Sequence, residues 1–406
     1  DKAMKVNVKG HIRDLLAFRR LVPKRKKRIA KSSPQPLGVD PMNKLARQLH
    51  PQRQHLVIAA IKDETKTTRT FKLVVDADSV TKELVYFRAG QYLSLKVAVN
   101  GVSITRPYSI SSAPSEALGA DGFYEITVRK EPGGFLTTHM WDHWQVGTRV
   151  TSSGPCGFFY YEPLRDAAKI VGLAGGSGIT PFRSMAREIA RGEMEAELLL
   201  LYGSSDQEDI VFYDELEALA QKMPGKFQVV HVLSCEEVSL QNCEQGFITA
   251  DTIKKYADVA HSSFFICGPQ AMYEFVAKEL ATLDLPARRI RREVFGEVKD
   301  ITQSSGFPPV AGQTFQLKVH VGGVTTTVPA QATETLLVAM ERANLAPPSQ
   351  CRSGECGFCR SRLVEGEVYI SPENDGRRAA DRQLGYVHPC ACYPITDLEI
   401  AVSRSI

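Results

Sequence analysis

The sequence predicts a multidomain protein: a basic helical N-terminal extension, an antiparallel β-barrel, a doubly wound α/β unit and a small α+β unit. Three observations predict it. Between residues 53 and 163, short strand-like runs are separated by polar or Gly/Pro turns. Between 164 and 297, strands alternate with helices. From 313 to 406, a hairpin and one helix precede the loop CRSGECGFCR, and five of the nine cysteines fall between 351 and 392.

The chain of 406 residues has room for two to four domains. Its 43% hydrophobic and 24% charged residues are ordinary for a globular protein. No apolar run approaches the roughly 20 residues of a membrane-spanning helix, and no charged-then-apolar leader is present. An odd number of clustered cysteines argues against a disulfide framework and for a reducing, cytoplasmic setting.

The extension, residues 1–50, opens with Asp-Lys-Ala before Met4, which reads as a remnant of a cleavable tag. It holds fourteen Lys/Arg against three Asp, a net +11, so the remainder of a chain of net +4 carries −7. HIRDLLAFRRLV at 11–22 places Ile12, Leu15, Leu16, Arg19 and Val22 at helical spacing; KRKKR at 24–28 follows, and SSPQPLGVDP at 32–41 reads as a linker. The composition suits an acidic protein partner, the protein's own acidic body, or peripheral contact with anionic lipid. With one aromatic, Phe18, and no base-reading motif, a nucleic-acid partner is not expected.

In the barrel the expected strands are HLVIAAI, TFKLVV, QYLSLKV, YEITVRK and TRVTSSG. In the α/β unit they are KIVGLAG, ELLLLYG, FQVVHVLS, SFFICG and RIRREVF, with helices from TPFRSMAREIARG, FYDELEALAQK, TADTIKKYA and PQAMYEFVAKELATL between them. Residues 298–312 form a second linker. In the last unit TFQLKVHV and TTTVPA form a hairpin, and a helix lies near 334–344, a β-grasp-like pattern.

Cys351, Cys356 and Cys359 are spaced C-x4-C-x2-C, which with a distant fourth cysteine is the plant-type arrangement for a 2Fe–2S cluster. Gly354 and Gly357 let the loop curl so that its amides point at sulfur. Zinc competes for four sulfurs, but it usually takes C-x2-C pairs on two knuckles, and here there is one such pair. The fourth ligand is Cys390 or Cys392.

RPYSIS at 106–111 resembles the flavin signature of the ferredoxin–NADP reductase superfamily. The resemblance implies that Arg106 pairs with the flavin pyrophosphate, Tyr108 packs along the isoalloxazine and Ser109 bonds near its N5 edge. GGFLT at 133–137 is similar to that family's phosphate loop, with Gly133, Gly134 and Thr137 facing phosphate; Thr127 and Arg129 of YEITVRK join the cofactor set. SGPCGFF at 153–159 resembles the element that accompanies FAD rather than FMN.

GLAGGSGITP at 172–181 resembles the nicotinamide-dinucleotide signature, implying Gly175, Gly176, Gly178, Thr180 and Pro181 as binding residues. CGP at 267–269 implies Cys267 and Gly268 beside the nicotinamide, and Phe295 against the flavin. By this resemblance Cys267, Ser109 and Tyr108 are the catalytic set. Ser204 and Asp206, after the second strand, offer no cation for a 2′-phosphate, which favours NADH over NADPH. GYVHPC is similar to the run carrying the last ligand in oxygenase-reductase ferredoxin domains, favouring Cys390 and leaving Cys392 a free thiol.

The motifs run in the order flavin, nicotinamide, ferredoxin over 53–406, as in the reductases of multicomponent oxygenases. The implied activity is electron transfer from NADH through FAD and a 2Fe–2S cluster to a separate redox protein, an oxygenase component or another terminal acceptor. Arg352, Arg360 and Arg362 flank the cluster loop and are expected to face an acidic partner or to stabilise the reduced cluster. The rival readings are a reductase acting directly on a small molecule, and a redox-sensing adaptor. The basic extension departs from the family pattern.

Overall fold

The structure, a computed structural model, describes residues 12–33, 38, 40–49, 51–235, 243–345 and 347–402. Met4, His11 and linker residues 34–37 lie outside them. The chain divides into two units, 1–48 and 49–406.

The extension departs from expectation once. Its first helix, α1 (Ile12–Ala30), carries the KRKKR run, with Pro23 inside the helix. Proline removes one backbone bond, while the Arg and Lys around it are good helix formers. Lys27 and Arg28 sit in the last turn, where the helix dipole favours cations. The linker then gives way to a second helix, α2 (Pro41–Leu49), whose start is fixed by Asp40 Oδ1 accepting from the Met42 amide at 2.9 Å.

The body opens with β1 (Gln54–Thr65), β2 (Thr68–Val75), β3 (Tyr92–Val99), β4 (Val102–Ser109), β5 (Tyr124–Arg129), the helix α3 (Phe135–His143) and β6 (Arg149–Ser152). The sheet order is β4-β3-β6-β1-β2-β5, with every pairing antiparallel. An antiparallel bridge from Ile110 to Ile126 joins the end of β4 to β5 and closes the barrel. Leu56, Ile58, Phe71, Leu93, Tyr124 and Ile126 fill its centre. β4, not among the strands expected from the pattern, carries Arg106, Tyr108 and Ser109.

The second sheet comprises β7 (Lys169–Gly175), β8 (Glu197–Ser204), β9 (Phe227–Leu233), β10 (Cys243–Gln245), β11 (Ser262–Cys267) and β12 (Ile290–Glu293). Its helices are α4 (Thr180–Ala190), α5 (Tyr213–Lys222), α6 (Ala250–Tyr256) and α7 (Gln270–Ala281). The order β10-β9-β8-β7-β11-β12 is wholly parallel. The chain winds one way from β7 to β10 and the other way from β11 to β12. The crevice between the carboxyl ends of β7 and β11 is therefore the switch point where such sheets bind ligands.

α4 is tied to the barrel by ion pairs. Arg183 reaches Glu125 at 2.7 Å, Arg187 reaches Glu116 at 2.9 Å, and Arg191 reaches Glu116 at 2.7 Å. Glu215 of α5 binds Arg183 and Arg187 from the other side.

The third sheet has β13 (Thr314–Val321), β14 (Val324–Gln331), β15 (Ser361–Glu365), β17 (Tyr386–Val387) and β19 (Leu398–Val402), with β16 (Val368–Tyr369) and β18 (Tyr393–Pro394) paired apart. β13 and β19 are parallel and the other pairs antiparallel, giving order β14-β13-β19-β15-β17. α8 (Leu336–Arg342) buries Leu336, Leu337 and Met340 in the core shared with β13 and β19.

Candidate functional site

At the switch point the register of β11 against β12 sets Cys267 opposite Glu293. Ser109, arriving on β4, donates its hydroxyl to Glu293 Oε2 at 2.9 Å, and the Cys267 sulfur lies 4.0 Å from the same oxygen. Burial pushes the Glu293 carboxyl well above the carboxylate range, opposed by the Ser109 bond. Burial, followed by Glu293, pushes the Cys267 thiol up. Ser109, Glu293 and Cys267 thus form one buried hydrogen-bonding group at the strand ends. Tyr273 accepts from the Gly268 amide at 3.2 Å and donates to the Glu293 carbonyl. Phe295 meets Tyr92 edge-on with ring centres 5.1 Å apart. Glu293 was missed in the sequence.

The two glycine turns fit a nucleotide and also fit each other. Gly176 has φ +52°, and α4 begins with no side-chain cap, leaving its first amides for an anion. Thr180 donates to the Ser177 carbonyl at 3.1 Å and Pro181 occupies the first turn. A Cβ on Gly178 would lie 2.1 Å from the Cys267 carbonyl; one on Gly175 or on Gly268 would lie 2.4 or 2.5 Å from the Met272 sulfur. Gly178→Ala is accordingly expected to push the end of β11 away, costing about 1–3 kcal/mol of stability and raising KM for NADH roughly tenfold or more. Unchanged melting temperature and steady-state kinetics would contradict it.

Around this crevice, Arg129 reaches across from the barrel, pairing with Asp209 at 2.8 Å beside Gly176. Ser204 ends β8, and Asp206 caps the next turn by accepting from the Asp209 amide at 3.0 Å.

On the flavin side, Gly133 takes φ +71° and Gly134 opens α3 with no side-chain cap, so the amides of that turn suit a pyrophosphate. Thr137 accepts from the Glu131 amide at 3.2 Å. Tyr108 donates to the Met140 sulfur at 3.4 Å. Burial and the nearby Arg352 push Arg106 down, opposed by Glu341 and Glu297; a bound phosphate would add to that opposition. Thr127 sits one strand position from the barrel core. Its hydroxyl is buried 2.8 Å from that of Thr70 and 2.9 Å from that of Ser111, on the face of β5 that also carries Arg129 rather than the face lining the barrel core.

The cysteine loop brings the four expected sulfurs together. Cys359 and Cys390 lie 3.4 Å apart, and Cys351 is within bonding reach of Cys356 and Cys390. The amides of Ser353 and Cys356 point at the Cys351 sulfur at 3.5 and 3.4 Å, and that of Phe358 at Cys356 at 3.4 Å. Four thiols ringed by amide donors fit a 2Fe–2S cluster. Among the described residues no three His, Cys, Asp or Glu converge on a single ion; two irons share four ligands. Cys392 is buried near Cys359 and bonds none of the four.

The arginines flanking the loop do not act alike. Arg352 is 1% exposed, bound to Glu341 and Glu297, so it cannot face a partner. Arg360 is half-exposed, pairs with Asp381 at 3.2 Å and lies over Tyr386; Arg362 is exposed on β15.

Fold and site together define a flavin- and nicotinamide-dependent iron–sulfur oxidoreductase. Comparison with known proteins agrees. Residues 55–161 match the oxidoreductase FAD-binding domain, 173–278 the oxidoreductase NAD-binding domain, and 319–394 the 2Fe-2S iron-sulfur cluster binding domain. The chain is 31% identical over 354 residues to the ferredoxin reductase component of a 3-ketosteroid-9-alpha-monooxygenase of Mycobacterium tuberculosis, covering 84% of this chain and 93% of the relative. It is 26% identical to a glycine betaine monooxygenase reductase subunit of Pseudomonas aeruginosa, covering 88% and 98%. Phthalate dioxygenase reductase shares the fold, with TM-score 0.61 and 23% identity over 86% of this chain and 98% of that one. The chain belongs to the oxygenase-reductase family within the ferredoxin–NADP reductase superfamily. It is an NAD(P)H-dependent oxidoreductase that carries electrons through FAD and a 2Fe–2S cluster to a separate redox protein. No helix among the described residues is long and apolar enough to cross a membrane.

Proposed function

We propose that NADH, rather than NADPH, is the donor, and that the acceptor is an oxygenase component with an acidic docking face, in the cytoplasm. The functional parts are 53–163 for FAD, 164–297 for nicotinamide and 313–406 for the cluster, with Cys351, Cys356, Cys359 and Cys390 as ligands. The observation that carries this reading is that the flavin barrel touches both other parts. Ser109 bonds Glu293 of the nicotinamide sheet at 2.9 Å and Tyr92 meets Phe295 with ring centres 5.1 Å apart. Arg106 of the same barrel lies 3.7 Å from Glu341 on α8, in the unit that carries the cluster loop.

FAD held by Arg106, Tyr108, Ser109 and the Gly133–Gly134 turn would supply a two-electron hydride acceptor able to pass electrons on singly. The chain's own residues prepare that exchange. Ser109 and Glu293 hold a hydrogen-bonded edge, Cys267 shapes the neighbouring space, and Tyr92 with Phe295 excludes water. NADH is favoured because the loop after β8 offers acids: Asp206 and Asp209, the latter occupying Arg129. Anaerobic addition of NADH should bleach flavin and cluster together, with NADPH at least tenfold weaker in kcat/KM. Equal use of both would overturn the donor assignment.

The extension supports the partner reading through charge. Deleting residues 4–50 is expected to leave NADH-to-dye transfer unchanged and to slow delivery to the oxygenase roughly tenfold at low salt. The difference should vanish near 1 M salt, where the Debye length is about 3 Å. A truncated protein that loses FAD would place the extension in the reductase core instead.

A further inference from the structure

Arg352 directly follows the cluster residue Cys351 and takes φ +58°, a region non-glycine residues seldom enter. Its side chain is among the largest fully buried in the described structure. Nη1 bonds Glu341 Oε1 of α8 at 2.6 Å, and Nη2 bonds Glu297. The other oxygen of Glu341 lies 3.7 Å from Arg106 Nη1 on β4 of the flavin barrel. Glu297 stands just past Phe295, where the chain leaves the nicotinamide sheet. Glu297, Val298, Arg352, Ser353, Cys390 and Tyr393 line one seam beside the cluster loop.

The cluster loop, the last turn of α8, the segment leaving β12 and the flavin strand β4 therefore meet through four charges, two of each sign. We propose that Arg352, Glu341 and Glu297 are positioning residues: a latch that holds the cluster loop against the flavin barrel and so sets the rate of electron transfer from flavin to cluster. The proposal rests on the cluster and flavin assignments above.

Two arguments favour positioning over alternatives. Buried ion pairs seldom add stability over apolar packing, and their better-attested use is to select one register. A guanidinium fork is directional, so it fixes orientation as well as proximity. A role in raising the cluster's potential would need an uncompensated positive charge, but Arg352 is matched by two glutamates and Arg106 adds the fourth member. Electron transfer falls off exponentially with distance, so a small loosening of this seam would register in the rate. One electron crosses at a time, leaving the flavin and reducing one iron, so two crossings clear each hydride.

The test uses Glu341→Gln and the more exposed Glu297→Gln in the full-length holoprotein. Iron and FAD content, the rate of flavin bleaching by NADH and the cluster's midpoint potential should stay at wild-type values. Cluster reduction in stopped flow should slow at least tenfold in Glu341→Gln and several-fold in Glu297→Gln. Proteolytic cleavage within 298–312 should quicken, a readout independent of turnover. Glu297→Gln keeps the test alive should Glu341→Gln fail to fold. Unchanged cluster reduction would overturn the latch. So would slowing explained by a shifted potential, which would make Arg352 an electrostatic tuner, and so would loss of the cluster from Glu297→Gln, which would make the network a folding element. A wild-type protein without iron would instead sink the underlying cluster assignment.

Discussion

Replacing Cys390 with serine is expected to remove the iron–sulfur chromophore while FAD and NADH-driven dye reduction survive. The same outcome is expected for Cys351→Ser, Cys356→Ser and Cys359→Ser. Each supplies one of the four sulfurs that the fold gathers around one space, and Cys390 closes the set at 3.4 Å from Cys359. Electron delivery to an oxygenase should fall to background, the largest effect of any single change. Cys392→Ser should retain the cluster, because that thiol is buried beside the set without bonding any of its members. Wild-type protein should carry about two irons and one flavin, with a rhombic EPR signal on reduction. A cluster that survives Cys390→Ser and is lost in Cys392→Ser would move the ligand; four irons or zinc would sink the assignment.

The second large effect is expected at the proposed hydride-transfer site. Cys267→Ala should slow flavin reduction by NADH about 100-fold with both prosthetic groups retained, because small misplacements of a hydride donor cost rate steeply. Unchanged stopped-flow traces would reduce Cys267 to packing. Its neighbour gives a pH test. Burial raises the folded-state pKa of Glu293 above its unfolded value of about 4.3. The folded protein then holds a proton that the unfolded chain has released. Stability must fall as pH climbs above about 4.3 toward the folded value. Glu293→Gln has no proton to lose, so its melting temperature should lack that slope and exceed wild type at pH 8. Parallel melting curves from pH 4.5 to 8 would refute a proton held at Glu293.

Most strands and helices of the body were legible because period-2 and period-3.6 patterns are local. The strand β4 was less so: its VSITRPYS interrupts alternation with an arginine and a proline, and only pairing with β3 makes it a strand. α2 was hidden by the breaker-rich run before it, although Asp40 is a normal N-cap. Glu293 left one usable signal. Aligning the carboxyl ends of β11 and β12 puts it opposite Cys267, so register, not motif, would have found it. Arg352 was misjudged as facing a partner: it lies next to a cluster cysteine in sequence, but a left-handed backbone turn sends its side chain inward. Glu341 carried a hint of this, since it sits one turn after Leu337 on the apolar face of α8.

The arginine ladder of α4 has a consequence for how this protein could be rebuilt. Arg183, Arg187 and Arg191 bind acids of both the barrel and α5, so the flavin and nicotinamide parts share side chains and cannot be exchanged separately without stranding buried charge. The natural cut for a chimera lies downstream, in 298–312. There a foreign electron-exit module could be grafted, provided it brings its own partners for Arg106 and Glu297. The architecture is thus a welded two-part engine with a replaceable outlet, and retargeting it to a new oxygenase would change the outlet and the basic extension while leaving the engine alone.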